Sequence, residues 1–232
     1  MNNIMLYNLL CMDIPSDDVN CNNGKTNLMH DTIKTSTDDK FNIVTNIIKF
    51  AILNKCTNAI EKMLNDNAII DSINIRQIAI DDIYTTFNYN DNVFAVYIKG
   101  IGDVQLTLLL IIHTEYMKKL AEVLIGNAIG YEEVNELMLS AIAEFGNILL
   151  AGAFTNALTN FTGFRINCTA PGYANDTLSS IMEYIIADSR ASQFVYTECK
   201  LRFKINKDIN LNISVLIPSD DARKLVELAF RS

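Results

Sequence analysis

The chain has 232 residues, half of them hydrophobic, enough to bury a substantial core in one large domain or two tightly packed halves. Asp and Glu outnumber Lys and Arg by 27 to 19 with no basic cluster, which argues against a role on a phosphate backbone and leaves nucleic acid out as a partner. Five cysteines, Cys11, Cys21, Cys56, Cys168 and Cys199, lie far apart with no CxxC pair and only two histidines to help them, so neither a metal site nor a disulfide framework is indicated.

In chain order, MNNIMLYNLL (1–10) lacks the positive start of a signal peptide and reads as a short docking helix or a frayed end. Residues 11–40 are rich in Asn, Asp, Ser and Thr without a sustained period, so residues 1–39 are expected to form a flexible leader. FNIVTNIIKFAILNKCTNAIEKMLN (41–65) has apolar residues at helical spacing, with Asp38 or Asp39 placed to cap it. INIRQIAI (73–80) is a strand candidate. VFAVYIK (93–99) and VQLTLLLII (104–112) flank Gly100-Ile-Gly-Asp103 as the arms of a hairpin would, and TEYMKKLAEVLIG (114–126) is a helix stopped by Gly126. The longest apolar run, Leu106–Ile112 broken only by Thr107, is far below the ~20 residues of a membrane span, so a cytoplasmic protein is expected.

The second half repeats this order: a long helix (133–161), a strand (164–169), a short helix near 177–187, a hairpin (194–205 and 209–217) and a last helix (219–230). Shifted by 98 positions, Thr57-Asn-Ala-Ile60 falls on Thr155-Asn-Ala-Leu158; shifted by 105, Lys118-Lys-Leu120 falls on Arg223-Lys-Leu225. The pattern predicts an α+β fold with internal duplication, half one 40–130 and half two 131–232, in which two hairpins form an antiparallel sheet packed against two long helices.

Within the second long helix, SAIAEFGN places Ser140, Glu144 and Asn147 at steps of four and three. At roughly 100° per residue they share a stripe about 60° wide. Such a stripe is commonly just the solvated face of an amphipathic helix, and the spacing alone leaves that reading open beside a functional one. Gly146 and Gly152 inside the helix, each costing about 1 kcal/mol relative to alanine, suggest a close approach to the backbone. A Thr162-Gly163 stop and a turn at Pro171 follow.

Ser140, Glu144, Asn147 and, about two dozen positions on, Pro171 together resemble the signature of the CheC/FliY/CheX chemotaxis phosphatases, Asp or Ser, three residues, Glu, two residues, Asn, then a distant proline. EFGNILLAGAFTNALTNFTG and IGDVQLTLLLIIHTEYMKKLAEVLIG are also similar to segments of that family, and the resemblance spans roughly 40–230, to the CheC branch most closely. It implies a pseudo-twofold CheC-like domain that dephosphorylates the response regulator CheY. Asn147 would orient the attacking water and Glu144 would dock a lysine of the regulator; Ser140 and Pro171 would support the motif. Glu144 as a general base is the competing assignment. The protein would need no cofactor or metal of its own, since magnesium would belong to the regulator's acidic pocket. The receptor deamidase CheD is a further partner the resemblance allows, and a non-catalytic adaptor that binds CheD or flagellar switch components is the alternative function. In the first half the motif positions hold Asn42, Asn46 and Lys49, so a single active centre is expected.

Overall fold

The computed structural model describes residues 37–87, 92–126, 136–187 and 189–229. The expected leader and the Cys11 and Cys21 thiols lie outside these residues, apart from positions 37–39, which are helical. Helix α1 runs through three consecutive segments, Thr37–Ala51, the widened π turn Ile52–Cys56 and Thr57–Leu64. Asp38 and Asp39 therefore sit within its first turn rather than before it. It is followed by β1 (Ala68–Ala79), a 3-10 turn and the single-turn α2 (Ile83–Thr86), β2 (Asn92–Gly102), β3 (Leu106–His113) and α3 (Thr114–Ile125). Helix α4 again has three segments, Glu136–Asn147, the π turn Ile148–Thr155 and Asn156–Thr162. Then come β4 (Ile166–Cys168), β5 (Gly172–Thr177), α5 (Leu178–Ala187), β6 (Gln193–Phe203), β7 (Asn210–Pro218) and α6 (Ser219–Ala229).

The duplication extends to the irregularities. Advanced by 98, the end of α1 at Leu64 falls on the end of α4 at Thr162, and each helix stops at a left-handed residue, Asn65 (φ 49°) and Gly163 (φ 77°). Both residue types tolerate that conformation, which turns the chain out of the helix. The π turns also overlap under this shift. At the C-terminal end of each, a threonine hydroxyl donates back to a carbonyl of the preceding turn, Thr57 Oγ1 to Leu53 O at 2.7 Å and Thr155 Oγ1 to Leu150 O at 2.9 Å. The two helices meet there, with Cys56 Sγ 3.8 Å from Leu149 O, and the Phe50 and Phe161 rings are 4.7 Å apart.

All seven strands form one antiparallel sheet in the order β1-β6-β7-β3-β2-β4, with β5 also pairing β2. The hairpins β2–β3 and β6–β7 join through β3 and β7, where Leu109 opposes Ser214. That pair lies on the pseudo-twofold axis, since Thr107 opposite Leu216 is mirrored by Ile111 opposite Asn212. The strand that follows each long helix crosses to the other half: β1 pairs β6, and β4 and β5 pair β2. The two hairpins form one antiparallel sheet, as expected, and the exchange of the flanking strands interlocks the halves.

Phe94, Val96, Ile98, Leu108, Leu110 and Ile112 face α1 and α4, whereas Val93, Ala95, Leu109 and Ile111 face Phe87 and α5. Both faces of the middle strands are covered, which is why VQLTLLLII is a continuous apolar run and not an alternating one. Each such side chain contributes roughly 1.5–3 kcal/mol when removed from water. Helix α4 spans 27 residues and is long and apolar enough to cross a membrane by length and composition, which the short Leu106–Ile112 run does not foretell. Its Ile142, Phe145, Leu149, Leu150, Phe154 and Leu158 are buried in the helix-side core.

Three boundaries differ from expectation. β1 begins five residues early, at Ala68 rather than 73, because β6 pairs with it along its length. β2 continues through Gly100-Ile-Gly102, which pair with β4, so the hairpin turns at 103–105. A Cβ on Gly102 would stand 1.9 Å from Arg165 O, so only glycine admits that neighbour. The strand expected over 164–169 is shorter, and the chain returns to the sheet as β5, ending at Thr177 where the short helix follows.

Candidate functional site

The stripe on α4 is set by what the opposite side of the helix buries. Met138, Ile142, Phe145 and Leu149 enter the core, and Gly146 lies against β2: a Cβ there would be 2.7 Å from Val96 Cγ1 and 2.8 Å from Val96 Cβ. The close approach inferred from the glycines is thus real at Gly146, where the neighbour is the sheet. At Gly152 no atom lies within 4 Å of such a Cβ, and that residue is exposed. Ser140 and Glu144 are exposed and Asn147 is half-buried. Among the described residues Glu144 has no ion-pair partner.

Pro171 stands in the gap between β4 and β5. Thr169 N–H donates to Lys99 O at 2.9 Å and Lys99 N–H to Thr169 Oγ1 at 3.2 Å; pairing with β2 resumes at Gly172 opposite Tyr97. Proline has no N–H for the ladder, and its position in an edge strand is one where none is lost. Gly172 is required where the strand resumes, because a Cβ would stand 2.4 Å from Tyr97 Cζ. The interruption opens a groove of about 450 Å³ between α4 and the strand, with Ser140, Ala143 and Glu144 on one wall and Pro171 and Tyr173 on the other. The fold therefore brings three of the four motif residues to one groove. Asn147 lies outside its walls, one turn further along the same stripe.

Tyr173 was not identified in the sequence. Its signal is the period of two after Pro171, which places positions 171 and 173 on one side of an extended segment.

The first half is built differently at the matching positions. Asn42 is exposed and Lys49 half-buried, but Asn46, at the position of Glu144, is only 9% exposed. Ile73 and Ile75 stand where the second half has Pro171 and Tyr173, on an unbroken β1, half-buried against the helix-side core. Burial of Asn46 and an uninterrupted strand replace the open groove. Among the described residues no group of three or more His, Cys, Asp or Glu side chains is placed to hold a metal ion.

No family model matches the sequence. Among solved structures, Thermotoga maritima FliY superposes with a TM-score of 0.68 at 15% identity, covering 84% of this chain and 98% of that one. This chain has the CheC-like fold. The FliM of the H. pylori FliM–SpeE complex shares it with a TM-score of 0.55 at 8% identity, over 84% of this chain and 96% of that one. The FliM middle domain of Vibrio alginolyticus does so at 0.51 and 13%, over 78% and 99%. At these identities it is the CheC-like fold that is common to the four chains.

Proposed function

We propose that this protein is a chemotaxis phosphatase that hydrolyses the aspartyl phosphate of CheY, through one centre on α4. The observation that carries this reading is the stripe of Ser140, Glu144 and Asn147, of which Ser140 and Glu144 line an open groove with Pro171, on a fold that FliY also has. An aspartyl phosphate is a mixed anhydride. Water attacks phosphorus, the bond from phosphorus to the carboxylate oxygen breaks, and aspartate and inorganic phosphate leave, the water's proton passing to phosphate. Catalysis then consists mainly of holding the water in line. The Asn147 amide both donates to and accepts from one water and has no proton to exchange near neutral pH, so its role is orientation. Glu144, exposed and without an ion-pair partner among the described residues, docks a lysine of the regulator; solvent excluded at the interface strengthens that pair beyond an exposed one. The protein works in the cytoplasm, within the CheC branch, with CheD as a further partner, and the divalent ion belongs to the regulator.

A phosphate-release assay with phosphorylated CheY tests this. Asn147→Ala is expected to slow release by about 100-fold at saturating regulator, while Glu144→Lys raises the regulator concentration needed for half-maximal rate. Release by Asn147→Ala at the wild-type rate removes the catalytic assignment. A second reading, a binding module without turnover, draws on the fold shared with the FliM domains, one of them solved in complex with SpeE. Capture of CheD or a flagellar switch protein with no phosphate release from CheY would favour it.

A further inference from the structure

The groove beside the stripe has a chemical bias of its own. Its charged lining residues are Glu136 and Glu144, both carboxylates, and its opposite wall carries the Tyr173 ring. Tyr173 is 55% exposed, yet its position is fixed from below: it stacks on the fully buried Phe94, with ring centroids 5.8 Å apart and planes inclined by 29°. Gly172 anchors the backbone just before it by closing onto Tyr97. One side of the ring is thus packed on Phe94, and the exposed remainder lines the same groove as the two glutamates.

A tyrosine face attracts a cation through its ring quadrupole, and the alkyl stem of a lysine lies well on an aromatic surface while its ammonium seeks an anion. We infer that Tyr173 is a docking residue that, with Glu144 and Glu136, forms a cradle for a lysine side chain of the partner: the stem rests on the exposed part of the ring and the ammonium meets the carboxylates. This rests on the functional reading above and adds to it a specificity-determining residue on the strand opposite the helix. The hydroxyl has no part in it, so the ring alone is needed. Tyr173 does not reach the reacting phosphate; it acts on binding, not on the chemical step.

The test is a binding titration with CheY held in its active form by beryllofluoride, paired with single-turnover phosphate release from phosphorylated CheY. Tyr173→Leu, which keeps apolar bulk over Phe94 but removes the ring, is expected to weaken binding about tenfold, a loss of roughly 1.4 kcal/mol. Its release rate at saturating regulator stays at the wild-type value. Tyr173→Phe binds within about twofold of wild type, and adding Glu144→Gln to Tyr173→Leu costs less than the two single losses combined, as expected of groups that hold one cation. Wild-type binding by Tyr173→Leu, or a fall in its saturated rate with binding intact, overturns the cradle while leaving the phosphatase reading in place. If the wild-type protein neither binds CheY nor releases phosphate from it, the functional reading falls and the cradle for a CheY lysine falls with it.

Discussion

Asp66 and Glu144 are both carboxylates in opposite surroundings, one buried and one exposed. Asp66 is buried and accepts from Ile205 N–H at 2.9 Å, Asn206 N–H at 2.7 Å and Asn206 Nδ2 at 3.0 Å, pinning the β6–β7 turn to the end of α1. Burial alone would raise its pKa; the hydrogen bonds from Asn206, Ile205 and Asn67 outweigh this and hold it below the usual carboxylate value. Its folded value is therefore below its unfolded one, so its stabilisation is complete above the unfolded pKa of about 3.9 and is lost as pH falls through the folded value. Asp66→Asn is expected to lower unfolding stability by about 1–3 kcal/mol at pH 7, with the gap to wild type narrowing below about pH 4, as read from urea midpoints. Glu144→Gln, changing an exposed group with no partner among the described residues, should leave stability within about 0.5 kcal/mol while weakening regulator binding. Glu144 was legible in the sequence because its neighbours recur at helical spacing. Asp66 was not, because its partners are 139 and 140 residues away.

At the scale of elements, helices were read closely because their period and their stops are local: Gly126 and Gly163 both take the left-handed conformation, donating to Glu122 O at 3.0 Å and Thr159 O at 2.8 Å. Strand ends were not, because pairing sets them; Gly100 and Gly102 look like a turn until β4 is placed against them. The helix glycines divide by the same logic. Gly146→Ala drives a methyl group into Val96 and should cost about 1–3 kcal/mol, whereas Gly152→Ala meets nothing within 4 Å and should stabilise by up to about 1 kcal/mol. Chemical denaturation of the two variants separates a packing glycine from a tolerated one; equal effects would contradict the close approach of α4 to β2. Pro171 lies in the break between β4 and β5 and lines the groove. The corresponding strand in the first half passes Ile73 without interruption, and no amount of polar substitution on α1 alone would recreate the groove.

For the whole molecule, the repeat was visible in two short alignments, but the exchange of strands between halves was not, since nothing in a strand's own residues names the hairpin it joins. Because β1 completes the second hairpin and β4 and β5 complete the first, neither half encloses its own core. The chain should unfold in one cooperative step, with coincident far-ultraviolet dichroism and tyrosine fluorescence curves; two separated transitions would contradict the interlocked sheet. The same pseudo-symmetry sets two related helices side by side, and at the motif positions α4 carries the exposed Glu144 and the Asn147 amide beside a groove where α1 carries the buried Asn46 and Lys49. The most direct measurement is single-turnover phosphate release from phosphorylated CheY by wild type, by Asn147→Ala and by the first-half double variant Asn42→Ala, Lys49→Ala. A single centre on α4 predicts loss of about 100-fold for Asn147→Ala alone, with the first-half variant at the wild-type rate. Undiminished release by Asn147→Ala, or a comparable loss from the first-half changes in a protein that remains folded, would contradict it.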